Sequence, residues 1–234
     1  ATDKVNVAVV LLRHISNFTD FSIRERDERV NLFYTNNTAD IEKADIIILP
    51  GTKATLDDLY ELRKNGVAQA IVRAHRNGKT VIGICGGYQM LGQSVLDPHA
   101  VEASIPQLPG LGLLDTITEM LPEKTTRQTD FIFNGKECKG YEIHQGITTY
   151  SQGNDRAGQK ADLIVSGNNC TGTYLHGFLD NSAVTDHFIT PLCKSKAKAG
   201  NVSIEEFKNR QYDLLADHVR KYVDIEKLIK IMTP

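Results

Sequence analysis

The stretch Thr80-Val81-Ile82-Gly83-Ile84-Cys85-Gly86-Gly87-Tyr88-Gln89 carries the strongest chemical signal in the chain. An apolar, β-branched run feeds directly into Cys85, and Gly86 and Gly87 then open a helical pattern that reaches Leu91. A sharp strand-to-helix turn of this kind, a nucleophile elbow, lifts the turn residue clear of the backbone, and small neighbours let a substrate approach. A thiol placed there meets the unpaired N–H groups of a helix N-terminus. Those groups favour the thiolate and can hold a developing oxyanion. A buried cysteine ahead of a helix whose glycines serve close packing would read the same way, and the stretch alone admits both.

A nucleophilic cysteine needs a base. The histidines are His14, His75, His99, His144, His176, His187 and His218. His75, His187 and His218 fall in helical patterns, as surface or packing residues, and His99 stands in a loop without a companion. His176 follows the run Gly172 to Leu175, which reads as a last strand ending at His176-Gly177. Open α/β sheets collect their active groups at the carboxyl ends of strands, which makes Cys85 and His176 the best pair. Gly51 follows the strand-like run Asp45 to Leu49 and falls on the same edge, where its N–H offers a second oxyanion donor. The segment Gly140 to Gly146 carries Tyr141, Glu142, Ile143 and His144 between glycines. It reads either as the wall of a polar substrate slot or as a β-turn with a surface salt bridge.

The elements that must position these groups alternate. Strands are expected at Val5 to Leu12, Val30 to Tyr34, Asp45 to Leu49 and Thr80 to Ile84, and helices at Thr55 to Lys64 and Val67 to Asn77. Thr55 with Asp57 and Asp58 reads as a capped helix start, and Asn77-Gly78 as a stop. This order implies βαβ units: an α/β fold with a three-layer, open, mostly parallel sheet and helices on both faces. From Leu113 to Gly167 short β-like runs (Phe131 to Phe133, Ile147 to Tyr150, Leu163 to Val165) alternate with polar turns. Ser151 to Gln159 reads as a loop. Helices follow from about 182: Ser182 to Cys193, Ser203 to Tyr222 and Asp224 to Met232, with Lys194 to Lys198 as a solvated loop between them. The whole of 1–234 is expected as a single domain.

Composition narrows the function classes. The 234 residues hold 27 Lys+Arg against 29 Asp+Glu, a formal net charge of -2, which argues against a nucleic-acid or polybasic membrane role. Apolar runs such as Ile46 to Leu49 are too short to span a bilayer. Cys138, Cys170 and Cys193 read as small buried hydrophobes. No C-x-x-C pair is present, so no metal site is expected, and free thiols point to a reducing, cytoplasmic setting. No G-x-x-x-x-G-K-[ST] phosphate loop occurs.

The order strand-LPGT, GICGGYQ, GYEIHQG, GTYLHGF resembles the triad-type (class I) glutamine amidotransferases, whose fold is flavodoxin-like. More narrowly it is similar to their cobalamin-pathway branch. The stretch His14 to Phe21 and the ending Tyr212 to Arg220 resemble the cobyric acid synthases within that branch. The resemblance runs from about Val5 to Met232. It implies that Cys85 is the nucleophile, His176 the general base, Gly51 and Gly86 the oxyanion donors, and Gln89 with Tyr141 to His144 the neighbourhood that holds glutamine. It implies no cofactor in this domain. ATP and Mg would serve a synthetase domain, absent from this chain, that carries the corrinoid site and receives the ammonia. The wider group places a glutamate two residues after its histidine, where this chain has Phe178. Glu142, Asp180 or no carboxylate at all then orients the imidazole. The start at Ala rather than Met suggests the C-terminal portion of a longer protein. The alternatives are a sister glutaminase, acting on cobyrinic acid itself or in lipid II amidation, and a cysteine-elbow hydrolase or stress protein of the intracellular-protease-like superfamily.

Overall fold

The computed structural model describes residues 3–22, 27–102, 105–152, 155–193 and 204–232. The chain forms two compact units, Ala1–Ala199 and Gly200–Pro234. Lys194 to Lys198 lies outside the described residues.

In the first unit, strands β1 (Val5–Val10), β2 (Val30–Thr35), β3 (Ile46–Leu49) and β4 (Thr80–Ile84) alternate with helices α1 (Thr38–Lys43), α2 (Thr55–Lys64), α3 (Val67–Arg76) and α4 (Gly86–Leu91). The expected bounds of α2, β4 and α4 are reproduced, those of β1, β2, β3 and α3 shift by one or two residues at an end, α1 was not expected, and the helix expected over Ser182 to Cys193 ends at Ile189. After α4 come β5 (Ser94–Leu96), β6 (Gln107–Pro109), β7 (Thr116–Phe133), β8 (Lys136–Tyr150), β9 (Ile164–Gly167), β10 (Cys170–Thr173), β11 (Leu175–His176) and α5 (Ser182–Ile189). The larger sheet has the order β2-β1-β3-β4-β10-β9. All its neighbours pair in parallel except β9, which runs antiparallel to β10.

The continuous apolar runs follow from burial on both faces of this sheet. Ala8, Val10, Ile47, Leu49 and Val81 point into one cluster with Ile41, Leu56, Leu59, Ile71 and Met90 of α1 to α4. Val7, Val9, Ile46, Ile48, Ile82 and Ile84 point into a second cluster with Phe178, Leu179, Val184 and Ile189. Asn37 caps α1 by accepting from the N–H groups of Ala39 (2.9 Å) and Asp40 (3.3 Å). The start of α2 differs from expectation. Ala54 holds the cap position without a side-chain bond, and Glu102 Oε2 accepts the Thr55 N–H at 2.8 Å from 47 residues away. At the other end of α3, Gly78 takes φ +82° beyond Asn77, as its stop signal requires.

The middle of the chain corrects the sequence reading. The short runs Phe131 to Phe133 and Ile147 to Tyr150 are the ends of one long antiparallel hairpin, β7 with β8. It belongs to a second sheet of order β11-β8-β7-β5-β6. Gly140 to Gly146 is therefore strand, not turn. The last strand of the larger sheet also ends earlier than expected, at Thr173. The chain then crosses into the second sheet, where Leu175 and His176 pair with Glu142 and Tyr141. In the second unit, α6 (Ile204–Tyr222) and α7 (Ile225–Met232) occupy the expected helical stretch.

Candidate active site

Strands β3, β4 and β10 are neighbours, and their carboxyl ends deliver the three residues singled out at that edge. Gly51 lies two residues beyond β3, Cys85 one beyond β4, and His176 three beyond β10. Cys85 donates its N–H to Thr173 O at 2.9 Å, locking the elbow to β10. Its backbone sits at φ 53°, ψ -114°, a conformation that a side-chain-bearing residue adopts only at strain cost. The surrounding glycines permit the turn. A Cβ on Gly87 would lie 2.0 Å from Leu49 O, and one on Gly83 would lie 2.8 Å from Gly87 O.

A methyl group built on Gly51 would lie 3.3 Å from His176 Cε1, 3.3 Å from Ser16 Oγ and 3.6 Å from Cys85 Cβ. Gly51, Cys85 and His176 are thus one cluster. The Cys85 thiol points at Ile143 O, 3.6 Å away. Gly86 is the first residue of α4 and packs on Thr52, whose Cγ2 would meet a Cβ at 2.6 Å. His176 is fully buried. Tyr141 stacks on its ring, with centroids 5.1 Å apart and planes tilted by 23°. Burial opposes an imidazolium there. Hydrogen bonds and charge from Asp20 and Cys85 outweigh it and raise His176 to about 10.

A cavity of about 200 Å³ opens beside the thiol, lined in part by Cys85, Gln89, Ile143 and His144. The other candidates fall elsewhere. Tyr141 covers the imidazole rather than the cavity. Glu142 faces away from His176, accepting from Arg127 Nε at 2.7 Å and Thr129 Oγ1 at 2.9 Å, with His144 Nε2 at 3.5 Å. Burial works against its charge, but these partners hold its carboxyl below the usual range. Burial likewise pushes His144 down, which keeps it neutral. Gln89 has both ends of its carboxamide engaged: Oε1 accepts from Thr55 Oγ1 at 3.0 Å, and Nε2 donates to Gln145 O at 2.9 Å and Tyr174 OH at 3.2 Å. A larger cavity of about 700 Å³, against α3 and β9, holds none of these groups.

Three contributors escaped the sequence reading as individual residues: Ser16, Asn17 and Asp20. Asn17 Nδ2 lies 3.1 Å from both imidazole nitrogens. Asp20 Oδ2 lies 2.7 Å from His176 Nδ1. All three belong to the His14 to Phe21 stretch, which runs from the carboxyl end of β1 and so arrives at the active edge. The available signal was an acidic residue, Asp20, in the connection that leaves the carboxyl end of the first parallel strand, ten residues beyond Val10. Lys124 and Gln145, on the hairpin, also line the cavity. Among the described residues, no group of three or more His, Cys, Asp or Glu side chains is placed to hold a metal ion. No described helix is long and apolar enough to cross a membrane.

Residues 6–184 match the CobB/CobQ-like glutamine amidotransferase domain family. Cobyric acid synthase of Bacteroides fragilis (strain ATCC 25285) is 56% identical over 238 residues, covering 98% of this chain and 48% of the relative. The Phocaeicola vulgatus protein of that name is 52% identical with the same coverage, and the Syntrophobacter fumaroxidans one is 40% identical over 98% of this chain and 50% of its own length. The chain thus spans about half the length of the curated relatives it matches. Among solved structures, a glutamine amidotransferase aligns over 81% of this chain and 99% of its own, with a TM-score of 0.58 at 15% identity. A chain of PurLQS from Thermotoga maritima aligns over 81% and 95%, with a TM-score of 0.52 at 16% identity. At those identities the structural likeness speaks for the fold, and the family match for the rest: the chain belongs to the CobB/CobQ-like glutamine amidotransferase domains.

Proposed function

We propose that this chain is the glutaminase part of a cobyric acid synthase. It would hydrolyse glutamine and pass the ammonia to an ATP-dependent synthetase part of the same cytoplasmic enzyme, which amidates adenosylcobyrinic acid a,c-diamide to cobyric acid. The observation that carries this reading is the convergence of Cys85, His176 and Gly51 at the ends of three adjacent strands, in a chain so similar to named cobyric acid synthases. ATP and Mg would be bound by the synthetase part.

The chemistry follows from the cluster. The Cys85 sulfur attacks the side-chain carboxamide carbon of glutamine, with its proton held by His176. The carbonyl oxygen gains the negative charge, and the N–H groups of Gly51 and Gly86 are the donors assigned to it. As the C–N bond breaks, the imidazolium gives its proton to the departing amine, and ammonia leaves. A glutamyl thioester remains on Cys85. Water then adds to it, His176 takes the water's proton, and the C–S bond breaks to release glutamate and restore the thiol. The tilted Tyr141 ring shields the imidazole during both proton transfers. Ile143 and His144 form the wall against which the glutamine side chain would lie, and Gln89 braces that wall.

Replacing Cys85 with Ala in the complete enzyme should abolish glutamine-dependent amidation and leave amidation with free ammonium intact. Both rates are read by following corrinoid product. Glutamine-dependent turnover persisting in that variant would overturn the assignment of the nucleophile.

A further inference from the structure

Whatever holds His176 Nδ1 sets the ring's tautomer. Phe178, two residues on, is fully buried in the apolar cluster and has nothing to offer. Glu142 is committed to Arg127 and Thr129. The carboxylate at that nitrogen is Asp20, 156 residues earlier in sequence, with Asn17 Nδ2 also 3.1 Å away. Its Oδ2 lies 2.7 Å from Nδ1, and its Oδ1 accepts the Gly177 N–H at 2.9 Å. One carboxylate therefore grips both the ring and the backbone that carries it. Asp20 is 2% exposed, so the pair is screened from water.

The strap that brings Asp20 there is itself anchored to the active edge. Ser16 N donates to Gly51 O at 2.9 Å, and Lys53 N donates to His14 O at 3.1 Å. His14 Nδ1 meets Asp58 Oδ1 of α2 at 3.0 Å. Asp20 N closes the turn onto Asn17 O at 3.0 Å, where Asn17 takes the left-handed conformation at φ 54°. The placement of Asp20 is thus fixed by the same Gly51 turn that borders Cys85.

We propose that Asp20 is the positioning residue of the glutaminase site: it holds His176 with a proton on Nδ1 and Nε2 facing the sulfur, and it stabilises the imidazolium without taking the proton itself. This rests on the reading of Cys85 and His176 as nucleophile and base. The raised affinity of His176 for a proton agrees with it. The ionisable groups around the ring are Asp20 on the strap, Cys85 at the elbow and Tyr141 on β8, with Asp180 beyond Gly177.

The test compares wild type, D20N and D20E in the complete enzyme and in the 234-residue chain. D20N should lower kcat for glutamine hydrolysis about 100-fold or more with KM little changed. It should also move the high-pH limb of kcat/KM down by about one unit or more, because the imidazolium loses its anion. D20E should recover part of both. Unchanged kcat in D20N, or lost activity with an unmoved pH profile, overturns the proposal. Should D20N fail to fold, the wild-type chain decides. A single slowly exchanging, downfield Nδ1–H resonance of His176 is expected by nitrogen-15 NMR, and a His176 protonated only on Nε2 sinks the idea. If the wild type hydrolyses no glutamine at all, the functional reading fails, while the NMR result still judges the role of Asp20.

Discussion

At the scale of single residues, the site stores strain and charge. Cys85 holds a positive φ that a glycine would adopt freely, and an alanine would not. C85G should therefore be more stable than C85A by roughly 1 kcal/mol, the strain relieved less the extra freedom glycine has when unfolded. Urea unfolding of the two inactive variants measures it, and equal midpoints would show that the elbow carries no such strain. His176 supplies a second prediction. Its pKa rises from 6.5 to about 10 on folding, so the folded state binds the proton more tightly than the unfolded chain. The stability this contributes is complete below pH 6.5 and is lost as pH climbs toward about 10. Unfolding midpoints measured across that window should fall in wild type, and the fall should be shallower in D20N.

At the scale of elements, the hairpin of β7 and β8 ties the second sheet to the helix that follows the elbow. A buried chain of hydroxyls runs from Gln89 Nε2 to Tyr174 OH (3.2 Å), on to Thr148 Oγ1 of β8 (2.6 Å), and on to Thr118 Oγ1 of β7 (2.8 Å). Thr118 and Thr148 are almost fully buried, so each needs its partner. T148V keeps the shape but removes the hydroxyl that bridges Thr118 and Tyr174, and should cost about 1–3 kcal/mol in thermal or urea unfolding. A loss near zero would mean that water reaches this chain. None of it was legible in sequence. The middle of β7, from Glu123 to Gln128, is mostly exposed and polar, so the alternation that betrays a half-buried strand is missing. The strands flanking the elbow were legible because both their faces are buried, and because Gly78 and the Gly86-Gly87 pair punctuate them.

At the scale of the whole molecule, both apolar clusters and every residue of the site fall within the first compact unit. We propose that this unit is the glutaminase core within the single domain expected over 1–234. A chain cut after Ala199 should fold cooperatively, and its Cys85 should react with iodoacetamide within about threefold of the full chain's rate, the difference expected of an ordinary change in local environment. Alkylation followed by peptide mapping reads this directly. An aggregated product, or a thiol that reacts like one in an unfolded peptide, would show that Gly200–Pro234 is needed for the site.

The sequence by itself determined the α/β alternation, the elbow at Cys85 and the candidate pair with His176. Each is written in near neighbours: apolar runs, helix stops, small residues around one thiol. Only the tertiary structure decided that the chain leaves the larger sheet at Tyr174, that Glu142 serves Arg127 instead of the imidazole, and that Asp20 holds His176. Those outcomes depend on which strands lie side by side, and on which carboxylate is left unpaired by everything else that packs there. A hydrogen bond spanning 156 residues leaves no local pattern, because the chain between its ends is free to follow its own local rules.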